Sequence, residues 1–236
     1  MAVGGLAVQA MHTLQGKLVA ATRRGRLLTL SSAAGVSAAI VGAWWLLGDW
    51  LALPGGGFQY IFGFCAVAFA VAATCAILLA EPADDYEESF SGTLDHFAAA
   101  WQVFRTDASF RTLAIVASLF GTVLILFPHY QALARERLGM SFSNLTLWVI
   151  VQNAGTGCFS LLAGPVADWR GNRIVLRACI FCSATVPLLA LLLVWSDPAI
   201  GRSLFWIVFV PIGLTPVTFR ILNNYTLELS DPVDHP

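Results

Sequence analysis

Residues 164–173 read Gly164-Pro-Val-Ala-Asp168-Trp-Arg-Gly171-Asn-Arg173 and lie between two long apolar segments. Gly164 and Asp168 are separated by about one helical turn. A carboxylate in such a position can cap the amides of a neighbouring helix end or hold an arginine across the loop. Gly171 permits a tight reversal into the next segment, because it has no Cβ. A polar turn whose arginines have no specific role is the alternative, and the spacing alone allows both.

The composition of the chain is that of an integral membrane protein. Of its 236 residues, 58% are hydrophobic and only 11% are charged, whereas soluble domains carry about 25% charged residues. A soluble fold of this size could not hide so much apolar surface from water. A bilayer core of about 30 Å needs roughly 20 apolar residues in a helix. The prediction is an all-α, polytopic transmembrane helix bundle of about six spans: Leu28–Leu47, Ile61–Leu79, Leu113–Tyr130, Leu145–Ala163, Ala178–Trp195 and Leu204–Val217.

Small residues predict where these helices touch. Ser31, Gly35 and Ala39 recur at every fourth position of the first span, and the fourth span carries Gly155 and Gly157. Small residues let helix backbones approach closely where no hydrophobic drive operates between helices. Both spans are therefore expected to pack inside a bundle.

Basic residues predict the orientation, because cytoplasmic loops are enriched in lysine and arginine. With a cytoplasmic N-terminal segment, three basic residues lie outside, namely Arg135, Arg137 and Arg202. Ten lie inside: Lys17, Arg23, Arg24, Arg26, Arg105, Arg111, Arg170, Arg173, Arg177 and Arg220. Both termini of the chain are thus predicted to lie in the cytoplasm. The protein itself is predicted to lie in the cell (inner) membrane. The net charge of −1 offers no basic surface for nucleic acid, so the lipid bilayer and a small-molecule substrate are the expected partners.

The chain divides at its longest predicted connection, residues 81–111. This connection opens with an acidic run, which is typical of a solvated segment. Leu94, Phe97, Trp101 and Phe104 then recur at helical spacing, which predicts an amphipathic helix on the inner membrane surface. The predicted order is a cytoplasmic segment with the end of a preceding span (1–26), two spans (27–80), the connection (81–111), four spans (112–222) and a cytoplasmic tail or loop (223–236).

The stretch Gly164-x-x-x-Asp168-x-x-Gly171-x-Arg173 resembles the signature loop of the major facilitator superfamily. In that family the loop joins the second and third spans and recurs between the eighth and ninth. Two positions depart from the usual basic residues, Trp169 and Asn172. A degenerate copy of this kind is typical of the second occurrence.

A second resemblance gives the same register. Arg23-Arg-Gly25-Arg26 is similar to the stretch that often precedes the fifth span of the superfamily. The six predicted spans would then correspond to its fifth to tenth helices, and the chain would be a central fragment. The resemblance implies a secondary active transporter of a small solute, working by alternating access between two helix bundles.

The resemblance also implies where the functional residues lie. The signature loop is expected to bias an inner gate through Gly164, Asp168, Arg170, Gly171 and Arg173. The family's transport cavity is lined mainly by its first, fourth, seventh and tenth spans, and the last two correspond to the third and sixth here. On those spans the candidate cavity residues are Thr122, Pro128, His129, Pro211, Thr215 and Thr218.

Both candidate cavity spans contain irregular positions. Each proline removes a backbone N–H and frees a carbonyl, and a freed carbonyl at membrane depth needs protein or water nearby. His129 is the one histidine in or at the edge of a predicted span. An ionisable group there is a functional candidate, and a histidine hydrated at the interface is the alternative. If transport is coupled to protons, either His129 or acidic residues outside these spans must serve, since no predicted span holds a deep carboxylate.

Cys179 and Cys182 support a rival interpretation. Two thiols three residues apart form a redox pair in thioredoxin-like proteins, so a membrane thiol-disulfide oxidoreductase is one alternative. Buried cysteine is more usually a small hydrophobic residue, and a non-transporting membrane scaffold is a further alternative. Hydrolase and phosphate-binding motifs are absent from the sequence, and metal ligands do not cluster in it. No enzyme activity, cofactor or metal is therefore predicted.

Overall fold

The computed structural model describes residue 18 and residues 21–54, 57–80, 93–141 and 144–229. The side chains of residues 21–29, 93, 96, 168 and 227–229 lie outside that description, and so does the acidic run at 81–88. The described backbone forms helices and short connections, without a strand. The predicted all-α fold is confirmed.

Eleven α-helices are bounded within the described residues, together with one π-helical and one 3-10 segment. In chain order they are α1 (Ala21–Gly42), the π-helical segment Ala43–Leu47, α2 (Gly48–Leu51), α3 (Phe58–Ile77), α4 (Thr93–Thr106), α5 (Ala108–Gly121), α6 (Val123–Leu138), α7 (Asn144–Arg170), α8 (Asn172–Trp195), α9 (Pro198–Leu204), the 3-10 segment Phe205–Val208, α10 (Phe209–Ile212) and α11 (Leu214–Leu229).

Six helical segments within the described residues are long and apolar enough to cross a membrane, as predicted. They are called the first to sixth spans below: Leu30–Leu51, Phe58–Ile77, Ala108–Leu138, Asn144–Ala167, Asn172–Trp195 and Pro198–Thr226.

The third and sixth spans are longer than predicted. The third has 31 residues and continues to Leu138, beyond its predicted end at Tyr130. The sixth has 29 residues and continues to Thr226, beyond its predicted end at Val217. Buried residues of the sixth span recur at helical spacing as far as Leu222, so its packed face continues beyond the apolar run. Polar residues near these helix ends lower the local hydropathy without ending the helix.

Two aspartates cap helices at opposite predicted ends of the bundle. The Asp107 carboxylate accepts a hydrogen bond from the Ser109 N–H (2.7 Å) where α5 begins. The Asp197 carboxylate accepts one from the Ala199 N–H (2.8 Å), with Pro198 at the first position of α9. Both caps satisfy amide groups that have no partner within a helix start.

The third to sixth spans form one bundle with two hydrophobic cores. Near the predicted outer end, the Trp148 ring stacks on the Phe209 ring with centroids 4.8 Å apart. The other buried members of this core are Tyr130, Ala134, Leu138, Val186, Ala190, Phe205, Val208 and Ile212. The core near the predicted inner end contains Leu113, Ala163, Val175, Leu176, Cys179, Leu214, Val217, Ile221 and Leu222. Among the described residues, neither core includes a member of the first or second span.

The first span lies against the fourth, but not through the predicted small-residue stripe. A Cβ on Gly157 would lie 3.2 Å from the Val36 Cγ1 atom, whereas a Cβ on Gly35 would meet no atom within 4 Å. Ser32 and Ala43 are the buried positions of the first span. The predicted close approach at Gly35 is therefore wrong, because bulky Val36 fills the notch that Gly157 provides on the partner helix.

The predicted amphipathic helix is present as α4. Leu94, Phe97 and Trp101 are 81%, 69% and 59% exposed. The Trp101 and Phe104 rings stack on each other, with centroids 5.4 Å apart. An apolar face that protein leaves uncovered is what a helix on a membrane surface needs, and that location stays a prediction.

Candidate functional site

The fourth and sixth spans cross with their backbones in contact. A Cβ on Gly155 would lie 2.5 Å from the Val210 carbonyl oxygen. A Cβ on Gly213 would lie 2.5 Å from the Gln152 carbonyl oxygen. Side chains cannot be accommodated at such distances, so only glycine fits at both positions. The two glycines therefore fix where the sixth span sits on the fourth.

The sixth span is irregular at this crossing. Pro211 and Pro216 lack an N–H, so the carbonyls four residues before them lose their helical partners. Between the two prolines, the Gly213 carbonyl oxygen accepts a hydrogen bond from the Thr156 hydroxyl of the fourth span (3.0 Å). A hydroxyl from a neighbouring helix is one of the means by which membrane proteins tolerate such breaks. The irregular segment is thus held by its packing against the fourth span.

A charged side chain of the sixth span bonds to the first span. Arg220 donates a hydrogen bond from Nη1 to the Ser32 hydroxyl oxygen. Ser32 is 5% exposed, and Arg220 is half-buried. Arg220 was predicted to follow the apolar part of the sixth span, and the helix that forms this span continues past it to Thr226. A half-buried ionisable group on a membrane helix is costly to desolvate and marks a candidate functional position.

The signature stretch folds as helix rather than as loop. The fourth helix, α7, continues to Arg170, and the Gly171 N–H donates to the Ala167 carbonyl oxygen (2.8 Å). The next helix begins at Asn172. Gly171 alone makes the reversal, with a φ of 84° that L side chains rarely adopt. The helical hydrogen bonding of the backbone thus continues through the whole of the signature stretch as far as Gly171.

The predicted gate residues lie at this helix end. Gly164 is inside α7, with no atom within 4 Å of a Cβ placed there. The Arg170 guanidinium carbon lies 4.4 Å from the centroid of the Trp169 ring, a cation–π contact. Arg173 is exposed in the first turn of α8. The Asp168 side chain lies outside the described residues, so its contact with an arginine stays a prediction.

The candidate cavity residues of the third span are exposed. Thr122 lies at the break between α5, which ends at Gly121, and α6, whereas Pro128 and His129 lie within α6. The Thr122 hydroxyl donates to the Leu119 carbonyl oxygen (2.7 Å) at this break. The helix continues through Pro128 to Leu138, so His129 lies well within it rather than at its end.

The candidate cavity residues of the sixth span are more enclosed. Pro211 is half-buried, and Thr215 is 3% exposed. Thr218 is fully buried, and its hydroxyl donates to the Leu214 carbonyl oxygen (2.8 Å). Two surface cavities, of about 420 and 410 Å³, are lined by none of the six candidate cavity residues. Their role in lining a transport path stays a prediction.

The sequence profile of the Major Facilitator Superfamily matches residues 1–232 of the chain. The chain belongs to the major facilitator superfamily. No curated protein and no solved structure matches it. The six apolar helices and the all-α bundle agree with this membership, and the superfamily is one of multi-pass membrane transporters.

Membership of the superfamily weakens the oxidoreductase alternative, since the family consists of transporters. Cys179 is buried in the inner core, whereas Cys182 is exposed, and both are free thiols. The two side chains therefore lie in different surroundings on one helix. They are more simply small apolar residues of a superfamily bundle.

Arg220 is the candidate functional residue that the sequence interpretation missed. The apolar run ends near Val217, which placed the arginine in an aqueous segment. Leu214, Val217 and Ile221 are buried, and their spacing of three and four residues crosses the position of Arg220. Helical periodicity, rather than hydropathy, is the signal that could have located it inside the sixth span of this superfamily member.

Proposed function

We propose that this superfamily member is a secondary active transporter that carries a small solute across the cell membrane by alternating access. The first two spans belong to one bundle, and the third to sixth spans belong to the other. The observation that carries the proposal is the hydrogen bond from Arg220 to Ser32, which joins the first span to the sixth.

The strength of this bond suits a contact that forms and breaks. Both hydrophobic cores lie within the third to sixth spans, so that bundle stays folded when the bond breaks. A hydrogen bond to a charged group contributes about 1.5–3 kcal/mol. Such a contribution changes a two-state equilibrium by about tenfold or more. The bond therefore biases the bundles toward the conformation that holds the first and sixth spans together.

The bond lies toward the predicted inner end of the sixth span. Six residues separate Arg220 from Thr226, where the span ends, or about 9 Å along a helix axis. We assign the conformation described here to a state closed on the inner side. Asp168 and its neighbours at the end of α7 are proposed to bias the same gate, and His129 is the proposed relay if transport is coupled to protons.

Spin labels at the two ends of the bundles test the proposal. In a cysteine-free form of the full chain, one pair replaces exposed Leu30 and Ile174 at the inner ends. A second pair replaces exposed Leu53 and Ile200 at the outer ends. The distance between the two labels of each pair is measured by pulsed electron paramagnetic resonance in lipid nanodiscs. Alternating access predicts two populations, in which a longer inner distance accompanies a shorter outer distance.

The serine that accepts the bond provides the decisive variant. Ser32→Ala is expected to raise the population with separated inner ends about tenfold. Ser37→Ala, an exposed position on the same helix, is the matched control and should leave the populations unchanged. A single distance at both pairs, unaltered by Ser32→Ala, would rule out alternating access through this contact.

A further inference from the structure

The cavity of about 420 Å³ lies between the predicted inner ends of the third, fifth and sixth spans. Polar side chains from all three spans line it. They are Ser109 and Thr112 near the start of α5, Arg173 and Arg177 near the start of α8, and Tyr225 near the end of α11. The polar residues are thus gathered where each of these helices begins or ends, at the predicted inner membrane surface.

The rest of the lining is apolar and lies deeper in the bundle. Leu113 and Val116 follow the polar residues on α5, and Leu176 and Ile180 accompany or follow the arginines on α8. Seven residues separate Arg173 from Ile180, which is about 10 Å along a helix axis. The cavity therefore combines a cationic entrance with an apolar extension toward the bilayer interior.

The entrance carries an excess of positive charge. Arg173 and Arg177 are four residues apart, so they share one face of α8, and both are exposed. Among the described residues that line the cavity, none is acidic. The adjoining Asp107 carboxylate accepts hydrogen bonds from the N–H groups of Ser109 (2.7 Å) and Phe110 (3.1 Å). The Asp107 carboxylate is therefore engaged with the first turn of α5.

Arginine side chains bind phosphate through paired N–H donors. The Tyr225 and Ser109 hydroxyls can add further donors, whereas the Thr112 hydroxyl already donates to the Ala108 carbonyl oxygen (2.8 Å). An inorganic phosphate would use the cationic entrance only. A phospholipid would place its phosphate at the entrance and its acyl chains along Val116 and Ile180, which are apolar and only half-buried.

We infer that this cavity binds the phosphate of an anionic ligand, and that the ligand is a phospholipid of the membrane leaflet at this end. Basic pockets between membrane helices on the cytoplasmic side are suited to lipid headgroups, because that leaflet is rich in anionic lipid. The site lies within the bundle of the third to sixth spans, away from the contact between Arg220 and Ser32. The proposed lipid site therefore does not depend on which solute is transported.

Native mass spectrometry of the delipidated full chain tests the site with phosphatidylglycerol and phosphatidylcholine as probes. Wild-type protein should retain phosphatidylglycerol in preference to phosphatidylcholine. Arg177→Gln should weaken phosphatidylglycerol binding about tenfold, and Arg177→Lys should weaken it less. Arg137→Gln removes the same charge from an exposed position at the opposite end, so it should bind lipid as wild type does.

A competition with soluble glycerol phosphate distinguishes the two sources of phosphate. Failure of glycerol phosphate to displace the lipid supports a phospholipid as the ligand. If glycerol phosphate displaces the lipid and binds with equal affinity, the ligand of the site is a soluble anion instead. Equal phosphatidylglycerol binding by wild type and Arg177→Gln, with both proteins folded by circular dichroism, would overturn the site. Equal retention of the two lipids by wild type would overturn its preference for anions.

Discussion

The Arg220 Nη1 atom of the sixth span donates a hydrogen bond to the Ser32 hydroxyl of the first span, 188 residues earlier in the chain. A half-buried charged group is costly unless protein or water solvates it. Here a buried hydroxyl supplies part of that solvation. The pair therefore links the position of the first span to the stability of a charge in the sixth.

A double-mutant comparison tests this linkage. Ser32→Ala should lower the free energy of unfolding by about 1–2 kcal/mol, because a half-buried guanidinium loses its acceptor. Adding Arg220→Met to Ser32→Ala should restore most of the loss, since removing both partners is nearly neutral. Unfolding in detergent, followed by tryptophan fluorescence, measures both. Additive losses in the double variant would show that the two residues act separately.

The crossing of the fourth and sixth spans should be intolerant of any side chain. Gly213→Ala would place a Cβ 2.5 Å from the Gln152 oxygen, so the helices must separate, at a cost of about 1–3 kcal/mol. Gly35→Ala, where a Cβ meets nothing within 4 Å, is the matched control. Thermal unfolding of the purified variants should show a loss for Gly213→Ala only. Equal melting temperatures would mean that the two spans are not held in this contact.

The carboxylate of the signature stretch should act on the gate rather than on folding. Asp168→Asn is expected to remove the predicted charge-assisted contact, worth about 1–2 kcal/mol, so the population with separated inner ends should rise about tenfold. The spin-label pair at Leu30 and Ile174 reports that population. Asp95→Asn, on exposed α4, should change it little. If the two substitutions gave the same small change, the stretch would be only a turn between helices.

Orientation is tested with single cysteines at exposed alanines in a cysteine-free background. Ala199 lies in the first turn of α9, at the predicted outer end of the sixth span, and Ala100 lies on α4. With both termini cytoplasmic, an impermeant thiol reagent should label Ala199→Cys in intact cells and Ala100→Cys only after permeabilisation. The reverse pattern would invert the proposed topology.

The number of membrane-spanning segments and their helical type could be predicted from the sequence, because apolar runs of about 20 residues have few alternatives to a membrane helix. Helix ends were less predictable. Hydropathy placed the end of the third span at Tyr130 and that of the sixth at Val217, yet both helices continue. Backbone hydrogen bonds and packing, rather than apolar composition, decide where such helices stop.

The site was predictable only where local conformation decides it. The reversal at Gly171 was expected from its lack of a Cβ, and its positive φ confirms that expectation. Which glycines form helix contacts was not predictable, because Gly35 and Gly157 look alike in sequence and differ only in what faces them. The bond between Ser32 and Arg220 was hidden for the same reason. A contact between residues so far apart in sequence depends on how the helices pack.

The single-residue connection at Gly171 has a consequence for biogenesis. Two apolar helices of 27 and 24 residues, α7 and α8, are joined without a loop. Neither can enter the bilayer far ahead of the other, so they are expected to insert together as a helical hairpin. Such a unit buries the backbone polar groups of both helices in one step.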